Sequence, residues 1–255
     1  MSLDLLRDHR RVFASKAVLA EVYGVWFDRL IAGLPDRARV LEAGAGPGLF
    51  GPYAKRRRTD LRWTALDLIE TPWNDIAADA QALPFRDSVF DAVVGVDFIH
   101  HLSTPLVFFR EVARVLKSDG ELRVVEPWVS VFSFPIYRFL HQEGATLGLD
   151  PARPFEKGDA KEPFDGDAGV LTSLARKVGD PVWRELGFDG RPAFSPINGF
   201  AYLMSLGFKA PSLLPKTLAP AVIAIDRALP AGLTAMRVEL RARKAAPAPR
   251  SKDAA

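Results

Sequence analysis

A glycine-rich turn between Val40 and Tyr53 (VLEAGAGPGLFGPY) constrains the fold of this chain more than any other stretch. The apolar residues before it are typical of the end of a buried strand, and a helix is predicted to begin near Leu49. Gly44, Gly46 and Gly48 leave the turn without Cβ atoms, so a ligand can lie against the backbone N–H groups of a helix start. The spacing is G-x-G-x-G, whereas the dinucleotide-binding fingerprint would have glycine at position 49. The turn therefore predicts a ligand site at the end of a strand.

The chain around this turn alternates between strands and helices. Strands are predicted at 39–42, 61–66, 90–96 and 121–125, with a short strand ending on Asp79 and helices at 49–58 and 105–116. The run at 90–96 (FDAVVGV) is almost continuously apolar, as in a parallel strand that is covered on both faces. The alternation predicts an α/β fold, a doubly wound, Rossmann-like, mostly parallel sheet with helices on both faces.

Acidic side chains follow several of these strands, at the sheet edge where open α/β folds bind ligands. Asp67 closes the second strand about 20 residues beyond the turn, where a carboxylate can accept hydrogen bonds from both ribose hydroxyls. Asp79 could accept from an exocyclic amine such as that of adenine, and Asp97 and Glu126 follow the next two long strands. Asp67 could instead be a simple strand-end turn residue, and Asp79 a helix or turn cap. Together these features predict an adenosine-bearing cofactor.

The segments on either side of this core are predicted to cover it. Residues 1–36 form a helical cover, in which Tyr23 and Trp26 either pack in the core or place Tyr23 in the ligand cleft. Residues 129–210 are expected to be an inserted substrate cap or lid, with a loop at 150–168 that is rich in proline, glycine and charge. Residues 211–243 are expected to supply the last helix (213–229) and an antiparallel edge strand (233–242), and 244–255 a disordered tail.

Composition excludes several kinds of site. The 255 residues include no Cys, which removes disulfides and thiolate metal ligands, and only four His, so no metal site is expected. A net charge of +3, from 34 basic and 31 acidic residues, gives no reason to expect a nucleic-acid partner. No signal peptide and no membrane-spanning run are recognised, so we expect a cytoplasmic protein. The apolar 213–229 segment and the basic tail would suit transient membrane contact, and the oligomeric state is not predicted.

Over roughly residues 38–128 these motifs resemble the Rossmann-like (class I) S-adenosylmethionine-dependent methyltransferases. The resemblance is to the small-molecule branch that includes ubiquinone and menaquinone methyltransferases. It implies S-adenosylmethionine as cofactor, S-adenosylhomocysteine as product and a small-molecule methyl acceptor. The first motif, Val40 to Gly48, would hold the methionine end of the cofactor, Asp67 the ribose, and Asp79-Ala80 the adenine. The cofactor contacts so implied are Glu42, Ala43, Gly44, Ala45, Gly46, Gly48, Asp67, Leu68, Asp79, Ala80, Asp97 and Phe98, and Tyr23 is a further candidate from the helical cover.

Methyl transfer from a sulfonium requires positioning and a dry cleft, and an oxygen acceptor also requires a base. The candidates for that base are His101, which we prefer, His100 and Glu126, with His141 less favoured. The two adjacent histidines could instead cap the next helix or shape the cofactor pocket. The acceptor atom is left open.

The sequence bears on three other functions. An NAD-type oxidoreductase is disfavoured by the glycine spacing and by the lack of a clear Tyr/Lys pair. A nucleic-acid methyltransferase is disfavoured because Asp97-Phe98-Ile99-His100 stands where an Asn-Pro-Pro-Tyr-like signature is expected. A cofactor-binding protein of the same fold without activity remains open.

Overall fold

The computed structural model describes residues 2–140, 144–155, 166–209 and 211–246. His141, residues 156–165 of the predicted lid loop and residues 247–255 of the predicted tail lie outside the described residues.

A seven-stranded sheet with the spatial order β3-β2-β1-β4-β5-β7-β6 forms the centre of the described chain. Its strands are β1 (Arg39–Ala43), β2 (Arg62–Asp67), β3 (Ile76–Ala77), β4 (Phe90–Val96), β5 (Leu116–Pro127), β6 (Ala193–Asn198) and β7 (Ala235–Arg243). The first five run parallel, with Val40 opposite Ala92 and Leu66 opposite Ile76. β7 is antiparallel to both β5 and β6. The predicted doubly wound α/β fold with an antiparallel strand is confirmed.

Helices connect the strands and cover both faces of the sheet. They are α1 (Leu3–Ser15), α2 (Ala17–Ile31), α3 (Phe50–Arg57), α4 (Pro105–Val115), α5 (Ser133–Pro135), α6 (Val170–Lys177), α7 (Asp180–Glu185), α8 (Phe200–Ser205) and α9 (Ala219–Ala228). Short 3₁₀ helices lie at Ile99–His101 and Lys216–Leu218, and a π-helical turn at Ile136–Leu140. The N-terminal cover, expected as one helical region over 3–33, divides at Lys16, whose ammonium donates to the carbonyl oxygens of Ser205 and Gly207.

Alternate side chains of the strands feed two separate apolar cores. Val93 of β4 packs on one face with Phe108, Phe109 and Trp183 from α4 and α7. Val94, its neighbour in the chain, packs on the opposite face with the helices of the N-terminal cover. This period of two between the faces is what a strand buried on both sides requires. The carboxyl ends of β1, β2 and β4 are thereby held at one edge of a rigid sheet.

The last strand, which was expected at the edge of the sheet, lies inside it. β7 lies between β5 and β6, and six of its nine residues in succession are buried, so it is an interior strand. β6, which falls within the segment expected to be a cap, forms the edge instead. The alternation of charged residues in β7 (Arg237, Glu239, Arg241) is typical of an exposed strand. Here Glu239 pairs with Arg241 and with Arg29 of α2, and Arg237 pairs with Asp97 at the end of β4.

The last helix is shorter than expected, because Pro215 and Pro220 delay its start to Ala219. Proline suits a first helical turn but cannot continue an existing helix. Five large apolar side chains in and around α9 are exposed, namely Leu213, Leu218, Ile225, Leu229 and Leu233. No helix in the described part of the chain is long and apolar enough to cross a membrane.

Candidate functional site

A cavity of about 1220 Å³ opens at the carboxyl edge of the sheet. Its walls come from the glycine turn after β1, the ends of β4 and β7, the histidine pair, α1 and the region of α8. Pockets for a single small molecule usually measure about 300–1,000 Å³. The cavity is therefore large enough to hold two ligands side by side.

The glycine turn is less open than its sequence suggests. A Cβ atom on Gly44 would lie 2.3 Å from Cβ of Phe98, and one on Gly48 would lie 2.1 Å from the Trp73 ring. A Cβ on Gly46 would meet nothing closer than 3.9 Å. All three residues have positive φ, which favours glycine. Bare backbone was expected at all three positions, but only Gly46 offers open space to a ligand.

Two side chains that the sequence analysis missed hold this turn in place. The indole Nε1 of Trp73 donates to the Gly46 carbonyl at 2.8 Å. Arg10 of α1 donates to the carbonyls of Pro47 and Gly48 at 2.7 and 3.0 Å, and its guanidinium lies over the Trp73 ring. Neither residue belongs to a periodic pattern around the turn, so no local signal in the sequence indicated this contact.

Asp67 lies directly behind the open glycine. Its Oδ2 accepts from the Gly46 N–H at 2.7 Å and its Oδ1 from the Ile69 N–H at 3.0 Å. Leu68 beside it is exposed. The carboxylate thus links the end of β2 to the glycine turn of β1, although its side chain is outside the cavity lining.

Asp79 begins a turn two residues after β3 instead of ending that strand. Its carboxylate accepts from the Gln81 backbone N–H at 2.8 Å, and it is exposed next to a buried Ala80. The two residues lie outside the cavity lining, as do Ala43 and Phe98, which are buried in the core. Phe98 fills the space over Gly44, so its side chain supports the turn from behind.

Glu42 is a buried carboxyl group on the cavity wall. Its Oε2 accepts from the Trp63 indole N–H at 2.7 Å, and the residue is 4 % exposed. Burial raises the pKa of Glu42 from 4.5 to about 7, although the hydrogen bonds from Trp63 and the Gly51 backbone oppose that rise.

Asp97, the first residue after β4, links α2 of the N-terminal cover to β7 through its carboxylate. It has a φ of 57°, an uncommon conformation for a residue other than glycine. Its carboxylate accepts from the Tyr23 hydroxyl at 3.0 Å and from Nη1 of Arg237 on β7. Burial, together with the neighbouring Asp97 charge, raises the pKa of Tyr23 well above its usual range. Tyr23 is therefore a neutral donor. It is packed in the core with Trp26 and also lines the cavity, so both predicted placements describe it, and its contact with a ligand stays a prediction.

Arg237 was also missed, because its position on a predicted edge strand suggested an exposed charge. Its guanidinium carbon lies 4.9 Å from the Trp26 ring and 4.5 Å from the Tyr202 ring. Burial lowers the pKa of Arg237, but the Asp97 carboxylate outweighs that effect and keeps it well above its usual value. The cavity wall therefore carries an ion pair between Arg237 and Asp97, in which the two charges offset each other.

His100, His101 and Glu126 contact one another at the ends of β4 and β5, through a tilted pair of imidazole rings and a hydrogen bond. The two imidazole rings lie 4.2 Å apart, and Nδ1 of His100 lies 2.6 Å from Oε2 of Glu126. Glu126 is fully buried and also accepts from the backbone N–H groups of Phe98 and Ile99. Burial raises the pKa of Glu126, but His100 and these N–H groups lower it by more, so the carboxylate is ionised. Both histidines line the cavity, whereas Glu126 lies behind them and can only position His100.

The backbone at Gly166, just after the undescribed part of the lid loop, lies against this pair. A Cβ atom there would come within 2.5 Å of His100 and 2.8 Å of His101. The Asp167 N–H donates to the His100 carbonyl at 3.1 Å. The start of the segment before α6 therefore packs over the histidines.

The central part of the chain is similar in sequence to known methyltransferases. Residues 41–124 match the family model of a methyltransferase domain. A fatty-acid O-methyltransferase from Mycolicibacterium smegmatis is 38% identical over 94 residues, which are 32% of this chain and 34% of that protein. A malonyl-[acyl-carrier protein] O-methyltransferase from Legionella pneumophila is 32% identical over 126 residues, 44% of this chain and 43% of that protein. The chain thus spans about a third to two fifths of these relatives' lengths.

The solved structure of a SAM-dependent methyltransferase from Archaeoglobus fulgidus shares the fold. The two chains superpose with a TM-score of 0.52 at 16% identity, over 88% of this chain and 94% of the other. The family model matches residues 41–124, and the likeness in fold extends over most of the chain. The predicted α/β fold is therefore confirmed both by the strand order of the sheet and by this superposition.

Proposed function

We propose that this chain, which is built on the class I S-adenosylmethionine-dependent methyltransferase domain, moves a methyl group from S-adenosylmethionine to a small-molecule acceptor. One observation carries the proposal. The open face of Gly46 lies at the carboxyl end of β1, and Asp67 at the end of β2 holds its N–H. In open α/β sheets this edge is where nucleotide-like ligands bind. The matching family model covers the same segment.

The residues at this edge suit the cofactor. Gly46 would receive its methionine end, Asp67 its ribose, and Asp79 with Ala80 its adenine. Glu42 and Asp97 lie on the same wall, where their carboxyl oxygens would accept hydrogen bonds from the ammonium group of the cofactor. The bound cofactor supplies a methyl group that is already activated for displacement. The protein's part is to position both ligands and to exclude water.

The remaining space suits an acceptor. The cavity extends from the glycine turn to α1 and to the turn after α8, which lie outside the segment matched by the family model. These walls come from the predicted helical cover and cap, so the two segments together would select the acceptor. Apolar side chains in them, such as Val12 and Phe208, keep water from the reacting atoms.

His101 is the group that we propose would accept a proton from a hydroxyl acceptor. It lines the cavity, and its ring is held against His100, which Glu126 fixes in turn. His101→Gln should slow methyl transfer to a hydroxyl at least tenfold and leave affinity for S-adenosylhomocysteine unchanged. A loss of that affinity instead would assign His101 to the cofactor pocket.

The finer expectations from the sequence remain proposals. They are the ubiquinone and menaquinone branch, a cytoplasmic location and transient membrane contact. The exposed leucines around α9 support the last of these. Flotation of the full chain with vesicles that contain anionic lipid would test it, and a chain that stays with the unbound fraction would exclude such contact.

Calorimetric titration of the full chain with S-adenosylmethionine, S-adenosylhomocysteine and NAD tests the proposal. Both sulfur ligands should bind and NAD should not. If neither sulfur ligand binds, the proposed function is wrong. NAD binding without them would favour the oxidoreductase.

Asp67→Ala provides the matched test of the ribose assignment. The substitution removes the acceptor for the Gly46 N–H, and S-adenosylhomocysteine should bind at least tenfold more weakly, since two hydroxyl contacts are lost. Asp36→Ala, at an exposed carboxylate in the turn before β1, is the control and should change nothing. Equal affinities for the two variants would rule out Asp67 as the ribose ligand.

A further inference from the structure

Three successive carbonyl groups of the glycine turn are held by side chains from other parts of the chain. The Gly46 carbonyl accepts from the Trp73 indole, and the Pro47 and Gly48 carbonyls accept from Nη1 of Arg10. Gly46 and Gly48 have positive φ and no side chain, so many conformations are open to the turn unless such contacts restrict it. Arg10 and Trp73 therefore fix the peptide planes of the segment on which the cofactor is proposed to lie.

Arg10 belongs to a helix that is weakly anchored in the core. Within the described chain, α1 buries one residue, Leu6, whereas α2 buries nine. The two helices join at Lys16, whose backbone is not helical (φ −107°, ψ 86°). Segments with few buried apolar contacts open locally at a low cost in free energy, and a break between two helices is where a hinge can lie. α1 can therefore pivot at Lys16 while α2 stays in the core.

The same helix forms one wall of the acceptor side of the cavity, which His9 and Val12 line. The His9 ring is stacked on the Phe208 ring in the turn after α8, with centroids 4.5 Å apart. A stacked pair of rings is a weaker attachment than a guanidinium that is hydrogen-bonded to two carbonyls and lies over an indole. Arg10 is thus the stronger attachment of α1 to the rest of the cavity, and it acts on the glycine turn.

We propose that Arg10 is a positioning residue that couples the two sides of the cavity, so that a cofactor on the glycine turn holds α1 closed over the acceptor side. A ligand that binds the turn with its peptide planes fixed binds less well when they are free, so it favours the state in which Arg10 is docked. The coupling is reciprocal, so closure of α1 also tightens cofactor binding. The acceptor side is complete only with α1 closed, and the cofactor therefore binds first. The inference rests on the proposed function, which supplies the ligand of the turn.

Hydrogen exchange of the α1 backbone amides, measured by mass spectrometry on the full chain with and without saturating S-adenosylhomocysteine, tests the proposal. The ligand should slow exchange in α1 of the wild type by roughly tenfold, which is a typical coupling between two sites. Arg10→Met keeps an unbranched side chain that suits a helix but removes the guanidinium, and it should abolish most of this slowing. Arg7→Met is the control, since Arg7 is an exposed residue of α1 that pairs with Asp4 away from the turn. It should retain the slowing in full.

Equal slowing in Arg10→Met and in the wild type would overturn the proposal, because S-adenosylhomocysteine would then shield α1 directly. So would a wild type whose α1 exchange does not respond to the bound ligand. If Arg10→Met speeds exchange in the sheet as much as in α1, Arg10 has a purely structural role and the proposal is wrong.

Failure of the proposed function would look different, since calorimetry would then detect no binding of S-adenosylhomocysteine. The unliganded proteins would still decide the role of Arg10. Exchange in α1 should be faster in Arg10→Met than in Arg7→Met, because the attachment to the glycine turn is lost only in the first. Equal rates would contradict that role.

Discussion

Glu42 should make the stability of this protein fall as the pH rises through neutrality. Its carboxyl group is buried against the Trp63 indole at the entrance to the glycine turn. Burial raises the pKa of Glu42 in the folded chain to about 7, whereas an exposed glutamate has a pKa of 4.5. Between these two values the folded state holds a proton that the unfolded state has released. Stability is therefore greatest below about pH 4.5 and is lost as the pH rises to about 7.

The size of this effect follows from the two pKa values. Each unit of difference between the folded and the unfolded pKa corresponds to about 1.4 kcal/mol of unfolding free energy. A rise from 4.5 to about 7 corresponds to about 3 kcal/mol of unfolding free energy lost above neutrality. That is a large fraction of the roughly 5–15 kcal/mol that stabilises an ordinary domain.

Glu42→Gln isolates the contribution, because glutamine cannot ionise but keeps an oxygen for the Trp63 N–H. Urea unfolding followed by tryptophan fluorescence would be measured for both proteins at several values from about pH 5 to about pH 8. Other titrating groups are common to both, so they cancel in the difference. The variant should gain about 2.5 kcal/mol relative to the wild type from the lower to the upper end of this range, since part of the wild-type loss is already present at the lower end. Parallel stability curves would refute the burial argument for Glu42.

Two further substitutions test the packing around the site. Gly44→Ala should destabilise the chain by about 2 kcal/mol more than Gly33→Ala. Both glycines have a φ near +70°, but only at Gly44 would the new Cβ meet Phe98. Equal losses of stability in urea unfolding would show that Phe98 moves away without cost. Phe108→Ala, in the core beneath β4, should cost about 3–5 kcal/mol, whereas Phe139→Ala, at a 76% exposed side chain, should cost nearly nothing; similar midpoints for the two variants would contradict the assigned core.

The sequence predicted the parts of the fold that depend on local pattern. β1 and β4 follow from short apolar runs, and α4 follows from a helical period of apolar residues. The position of Asp67 follows from its distance along the chain from the glycine turn. These signals are local because a strand or helix shows its buried face within about ten residues. The strand order at the far edge has no such signal. β7 alternates charge like an edge strand, and only its pairing with β6 shows that it is interior.

The site was predicted in part for the same reason. Gly46, Asp67 and the histidine pair lie at strand ends, where position alone suggests a ligand. Arg237 could not be found in this way, since the residues that it contacts lie up to about 210 positions away in the chain. The closure of Gly44 and Gly48 likewise depends on Phe98 and Trp73, whose side chains reach the turn only after the sheet has formed.

A crystal structure of the full chain with S-adenosylhomocysteine would test the central claim most directly. The account predicts the amino-acid end of the ligand against the backbone of Gly46 and both ribose hydroxyls within hydrogen-bonding distance of the Asp67 carboxylate. A ligand bound elsewhere on the chain, or with its ribose far from Asp67, would contradict the account.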